Sequence, residues 1–307
     1  MISLRQHAIS IAAIFLALAI GVVLGSSVLS DNLLSGLTDD KQDLQSQVHD
    51  LQSQANAQNL QLQAADGFDS AIAGRVVGGS LTDRTVVVFT TPSAAPESVD
   101  AAVGLVAAAG GKVTGQVGLT EAFVTAQGAD QLRATVTNVV PAGVQLSTAA
   151  VDPGSMGGDL LGSVLMLDPQ TAEPQSTPAE RDLAMQTLRS GGFISYQDGT
   201  VAPGQLALVV TGTSDNGNKG PIVARFAAAM DSRGAGTVLA GDAGSAEGNG
   251  AVAVARSDAA ISNHLSTVDN VERSAGRIST VLALREELEG RSGQLGVGPG
   301  AGALTVS

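Results

Sequence analysis

Gly212, Gly217 and Lys219 fall in a loop between an apolar run and an Ala-rich segment, where an α/β protein would cradle a phosphate. A Walker loop places its lysine directly after the second glycine and a hydroxyl residue next, so that the ammonium reaches the β and γ phosphates and the hydroxyl reaches magnesium. Here Asn218 intervenes and Gly220 follows, which argues against that chemistry. Gly234, Gly236 and Gly241 miss the dinucleotide fingerprint because the third glycine comes two residues late. Nucleophilic catalysis needs a base beside a serine or threonine, and the only histidine in the region after Asp66-Gly67 is His264. Glu286 and Glu287 cannot serve one pocket, because adjacent residues on a helix do not face each other. Asp152-Pro153-Gly154 and Asp198-Gly199 read as turns. With no cysteine, disulfides, thiolate metal sites and thiol nucleophiles are excluded. Met156, Met166, Met185 and Met230 are scattered, without a Met-x-Met cluster. These residues predict no catalytic site, no tightly bound cofactor and no assignable metal ligand, and hence a protein that is not an enzyme.

The elements that would position any chemistry begin with an anchor. From Gln6 to Ser30 the only ionisable side chain is His7, and Ala8 to Leu24 is almost wholly apolar. A helix of about 20 such residues crosses a hydrocarbon core of roughly 30 Å. Residues 1–30 are therefore expected to form a short cytoplasmic start and one transmembrane helix, with lipid contact through residues 8–29. Arg5 precedes the span and Asp31, Asp39 and Asp40 follow it, which places Met1 in the cytoplasm and the rest on the extracytoplasmic, periplasmic side. A cleaved signal peptide ending near Gly25-Ser26-Ser27 is the alternative. Ala13, Ala17, Gly21 and Gly25 line one face at every fourth position, a pattern that lets two membrane helices approach closely, unless it reflects only the abundance of small residues.

Leu37, Lys41, Leu44, Val48, Leu51, Ala55, Gln58 and Leu62 are spaced alternately by four and three, a heptad seam. Residues 31–66 are expected to form a coiled-coil stalk in a parallel homodimer, the alternative being a lone amphipathic helix folded back on the remainder. After Asp66-Gly67 short β-branched runs alternate with Ala-rich segments, the signature of an α/β domain over 67–307. One βαβ unit reads as strand 85–89, helix 97–109 and strand 113–117, and a second as strand 206–210, helix 221–230 and strand 237–239. They suggest two related halves, about 67–167 and 178–290, joined by a Pro-dense loop from Asp168 to Pro178. A helical pattern spans 179–189, another spans 275–288, and the Gly-rich tail 291–307 is expected to be mobile. With Arg5 set aside, 15 basic side chains stand against 29 acidic ones, a formal charge of about −14. Such a body repels nucleic acid.

The opening Met1-Ile2-Ser3-Leu4-Arg5-Gln6-His7-Ala8, continued by Ala17-Leu18-Ala19-Ile20-Gly21-Val22-Val23-Leu24-Gly25, resembles the MctB family of copper transport proteins of mycobacteria and other actinobacteria. Further matching stretches are Pro141-Ala142-Gly143 with Gln145-Leu146-Ser147-Thr148, Gly158-Asp159-Leu160-Leu161-Gly162, Val223 to Ala229, Ser266-Thr267-Val268-Asp269 and Gly276-Arg277-Ile278. The resemblance covers essentially the whole chain. It implies copper efflux and copper homeostasis, with the copper ion as transported species, in the cell envelope and by a pore in the outer membrane. Where the family tail tends to carry a His-Tyr pair, this sequence has Gln294-Leu295. With aromatic residues at only 2%, the girdles of a spanning β-barrel are missing, so a pore would have to come from oligomerisation. An envelope scaffold or adaptor that docks partner proteins is the alternative function.

Overall fold

The computed structural model describes residues 4–148, 150–213 and 217–306, and the backbone alone along 26–40. The chain divides into two compact units, Met1–Ala64 and Ala65–Ser307. The first unit is one helix, the greater part of α1 (Leu4–Val77). The helix does not stop at Asp66-Gly67, as the sequence suggested. An interior glycine costs only about 1 kcal/mol relative to alanine, and the last turns are held by the second unit: Ala73 and Val77 are buried, and the Asp66 carboxylate accepts the Ser274 backbone N–H at 2.6 Å.

The second unit continues with β1 (Thr85–Thr90), α2 (Pro96–Ala108), β2 (Lys112–Leu119), α3 (Glu121–Val124), α4 (Ala129–Asn138), α5 (Pro153–Leu165) and α6 (Pro178–Ser190). There follow β3 (Ile194–Ser195), β4 (Leu206–Thr211), α7 (Gly220–Asp231), β5 (Thr237–Gly241), α8 (Ala251–Ser257), α9 (Ala259–Ser262), β6 (Ser266–Val268), α10 (Ser274–Leu288) and β7 (Gln294–Leu295). Seven strands form a single open sheet in the order β3-β2-β1-β4-β5-β6-β7. All neighbours are parallel except β3 against β2. Both expected βαβ units are present, β1-α2-β2 and β4-α7-β5, and the direct pairing of β1 with β4 makes them one sheet. β4 and β5 are buried at every position. That is why they read as unbroken apolar runs and not as alternation.

One core lies between the sheet and the helices α2 and α10, with Val86, Val88, Leu208, Val106 and Leu284 at its centre. The other lies beneath α3 to α8, where the Phe226 ring meets Phe89 and Phe123 edge-on at 5.3 and 5.4 Å. Local signals start the helices. Thr177 and Glu180 form a reciprocal capping box for α6, and Asp152 caps α5 by accepting the Ser155 N–H, with Pro153 in the first turn. Sequence propensity gave no helix at α5, because glycine is a poor helix former. Its glycines are packing devices. A Cβ on Gly154 would lie 2.2 Å from Ile222 O and one on Gly158 2.5 Å from Phe226 O, so α5 and α7 approach with backbone against backbone.

The tail is tied down, contrary to the expectation of mobility. β7 adds a strand beside β6, and the buried Asp269 carboxylate accepts the N–H groups of Val297 and Gly298 at 2.7 and 2.9 Å. Arg256 pairs with Asp269 at 2.6 Å and donates to the carbonyls of Leu295 and Pro299. Gly296 is required here: its φ is +127°, and a Cβ would lie 2.2 Å from Asp269 Oδ1.

Candidate functional site

Leu4–Gly25 is the one candidate membrane span among the described residues, 22 residues of mean hydropathy 2.7. At 1.5 Å per residue it is about 33 Å long, enough for a hydrocarbon core. Ile14, Phe15, Leu18 and Val22 are each more than 60% exposed, an apolar surface that water would not tolerate. Ala13, Ala17, Gly21 and Gly25 lie on this helix, and a Cβ on Gly21 or Gly25 would meet nothing within 4 Å, so the small-residue face is open.

Further along α1, Leu44, Val48, Leu51 and Leu62 are between half and two-thirds exposed, and Ala55 is exposed as well. The side chain of Leu37, the first seam position, lies outside the described residues. Within a single chain the seam is uncovered.

In the second unit the strand order reverses direction between β1 and β4, the topological switch point at which α/β sheets bind ligands beyond the carboxyl ends of their strands. The crevice there holds only about 30 Å³, room for one water. Its hydroxyls close on one another: Thr91 Oγ1 lies 3.0 Å from both Ser93 Oγ and Thr211 Oγ1, and Gly212 N–H donates to Ser93 Oγ at 3.2 Å. Lys219, which lines the crevice, pairs with Glu121 at 3.0 Å. Gly212 serves strand packing, since a Cβ would lie 1.9 Å from Ser93 O. Gly234 packs on Met166, Gly236 on Glu287 and Gly241 on Ser245. Among the described residues, no histidine or carboxylate lines the crevice to act as a base.

Other ionisable groups of the second unit lie away from this crevice. Burial pushes the Asp231 carboxyl up to about 7, against a hydrogen bond from the Thr237 backbone, and Asp231 Oδ1 has no hydrogen-bond partner among the described residues. Burial also pushes Glu287 up to about 8, the charge of Asp231 adding to it while the Ser266 N–H, which donates at 2.8 Å, opposes it. Adjacent acids of α10 part company: Glu286 pairs with Arg291, and Glu287 turns in. Asp159 is buried and paired with Arg233 at 2.5 Å.

No group of three or more His, Cys, Asp or Glu able to hold a metal occurs among the described residues. Met166, Met185 and Met230 are buried in the core, their thioethers consumed by packing, and Met156 packs against it. Gln294 donates to the carbonyls of Ser262 and Leu265 and accepts from Thr267, so this place in the tail is a sheet-edge bracket.

Comparison with known proteins places this architecture. Residues 1–306 match the family model described as "Copper transport outer membrane protein, MctB". The chain is 47% identical over 313 residues to the copper transporter MctB of Mycobacterium tuberculosis (strain ATCC 25618 / H37Rv), covering all of both chains. It is 49% identical over 315 residues to the copper transporter MctB of Mycobacterium leprae (strain TN), covering all of this chain and 99% of that one.

Proposed function

We propose that this chain, which belongs to the MctB family, acts in copper transport as a membrane-associated, non-catalytic protein. The observation that carries this reading is the extent of the likeness, which runs through span, stalk and head without a gap in coverage. The finer form is copper efflux. The span Leu4–Gly25 holds the chain in an envelope membrane with Met1 in the cytoplasm, and the acidic head lies on the extracytoplasmic side. Two copies pair through Ala13, Ala17, Gly21 and Gly25 and through the seam at Leu37, Leu44, Val48, Leu51, Ala55 and Leu62. The head is an open, mostly parallel sheet whose central strands β4 and β5 are buried at every position, so a conducting path would be built between copies in the membrane and not within the head. The net charge of −13 supports accumulation of cations near such a path and works against nucleic acid as a partner.

Copper flux in vesicles reconstituted with the full chain tests the reading. Release faster than from empty vesicles is expected, and an identical rate would remove the transport role. The uncovered seam supports a second reading, an envelope adaptor that docks partner proteins and affects copper indirectly. That reading predicts no flux in the vesicles but altered copper sensitivity when the seam is disrupted in cells.

A further inference from the structure

The last turns of α1 carry an apolar face that belongs to neither core. Of the six phenylalanines, Phe89, Phe123, Phe193 and Phe226 are fully buried and Phe15 lies in the candidate span, whereas Phe68 is 65% exposed. Val76 is 46% exposed and Ile72 partly so, and none of Phe68, Ile72 and Val76 packs against either core. The head holds this stretch of helix by another side: Ala73 and Val77 are buried, and Asp66 accepts the Ser274 N–H. Phe68, Ile72 and Val76 follow one another at four-residue steps and so form one stripe.

The place of this stripe in the heptad points to what covers it. α1 continues without a break to Val77. Beyond Leu62 the alternation of three and four residues goes on through Ala65, Asp69, Ile72 and Val76, so that Val48, Leu62 and Val76 fall at a, and Leu51, Ala65 and Ile72 at d. Asp69, another a position, is a polar interruption of the kind that Lys41 and Gln58 make earlier. Three side chains per copy bury far less than the roughly 1,200 Å² of a stable interface, so the stripe has to extend a contact made elsewhere along the helix. A second copy in parallel register does this. Phe68 falls at g, and in a parallel pair a g residue meets the e residue five positions on in the other helix. That residue is Ala73 of the partner subunit. Ala73 and Asp66, both at e, lie on the side by which α1 holds its own head, so Phe68 of one copy lands beside the head of the other.

We propose that two copies of this chain pair through their heads as well as their stalks, with Ile72 and Val76 forming the last layers of the seam and Phe68 packing on the head of the partner subunit. This contact rests on the proposed pairing of copies through the stalk seam and extends that pairing into the α/β domain. Because the chain has no cysteine, single cysteines introduced into the full chain report it cleanly. Two cysteines bridge only when their Cα atoms lie within about 7 Å, which identical a or d positions of parallel helices in register satisfy and outward positions do not. Val48→Cys reads the stalk, Ile72→Cys and Val76→Cys read the head, and Gly74→Cys, where a Cβ meets nothing within 4 Å, is the outward control. Membranes of the expressing cells are oxidised with diamide and resolved on non-reducing gels. The expected result is a product of twice the chain mass at Val48→Cys, Ile72→Cys and Val76→Cys, formed about tenfold faster or more than at Gly74→Cys. Bridging at Val48→Cys alone overturns the head contact and leaves the stalk pair standing, and bridging at none of the positions overturns both. A product of any other mass at Ile72→Cys or Val76→Cys assigns the stripe to a different protein and overturns the proposal, as does equally fast bridging at Gly74→Cys. Phe68→Gln changes a side chain that is exposed in one copy, so the head's melting temperature should hold. The concentration at which the purified dimer dissociates, read by light scattering in detergent, should rise about tenfold or more, and an unchanged concentration overturns the packing of Phe68 on the partner subunit.

Discussion

Replacing Glu287 by glutamine should stabilise the head domain, and increasingly so as pH rises. Glu287 is 7% exposed and its carboxyl pKa is raised to about 8 from an ordinary 4.5. The folded state therefore holds this proton more tightly than the unfolded chain does. Its contribution to stability is fully present below about pH 4.5, is lost progressively as pH rises toward 8, and is flat beyond. At about 1.4 kcal/mol per unit the ceiling is near 5 kcal/mol. Relaxation around a buried charge and entry of water reduce this, and about 2–3 kcal/mol is a realistic gain for a neutral side chain above pH 8. Glutamine keeps the oxygen that accepts the Ser266 N–H at 2.8 Å, so the geometry at the start of β6 survives. For a domain of this size the gain corresponds to roughly 5–10 °C in melting temperature. Thermal melts of the full chain in detergent, followed by circular dichroism from pH 5 to 9, should coincide for parent and variant near pH 5 and separate with rising pH. A variant less stable at every pH, or one that keeps the parent's slope, would refute the assignment of the pH dependence to Glu287.

Three other substitutions probe the remaining architecture. Asp269→Asn leaves the buried Arg256 guanidinium without its counter-charge and should cost about 3–5 kcal/mol, with protease cleavage in the tail after Gln294 appearing at parent-like temperatures. Gly158→Val drives side-chain atoms into Phe226 O, so α5 must part from α7, and a urea midpoint reporting a loss of about 2 kcal/mol or more is expected. Leu44→Asn with Leu51→Asn removes two seam layers without touching the head, and should convert a dimer to a monomer by light scattering in detergent while the head's melting temperature stays unchanged. A parent already monomeric would remove the seam as an interface.

The sequence alone determined the features that depend on local spacing. The apolar run before Ser30 needs only length to become a membrane span. The alternation of β-branched runs with Ala-rich segments, bounded by Gly and Pro, located β1, α2, β2, β4, α7 and β5 within a few residues, because strands buried on both faces and their flanking helices carry their signal locally. What depends on close approach was invisible. α5 is a helix because its glycines let α7 come near, a gain that intrinsic propensity cannot express. The tail is ordered because Asp269 and Arg256, thirteen residues apart in sequence, present a buried ion pair to its backbone. In the sequence Glu287 is only an acid that cannot share a pocket with Glu286, and the packing of α10 at the start of β5 and β6 is what withdraws it from water and changes its ionisation.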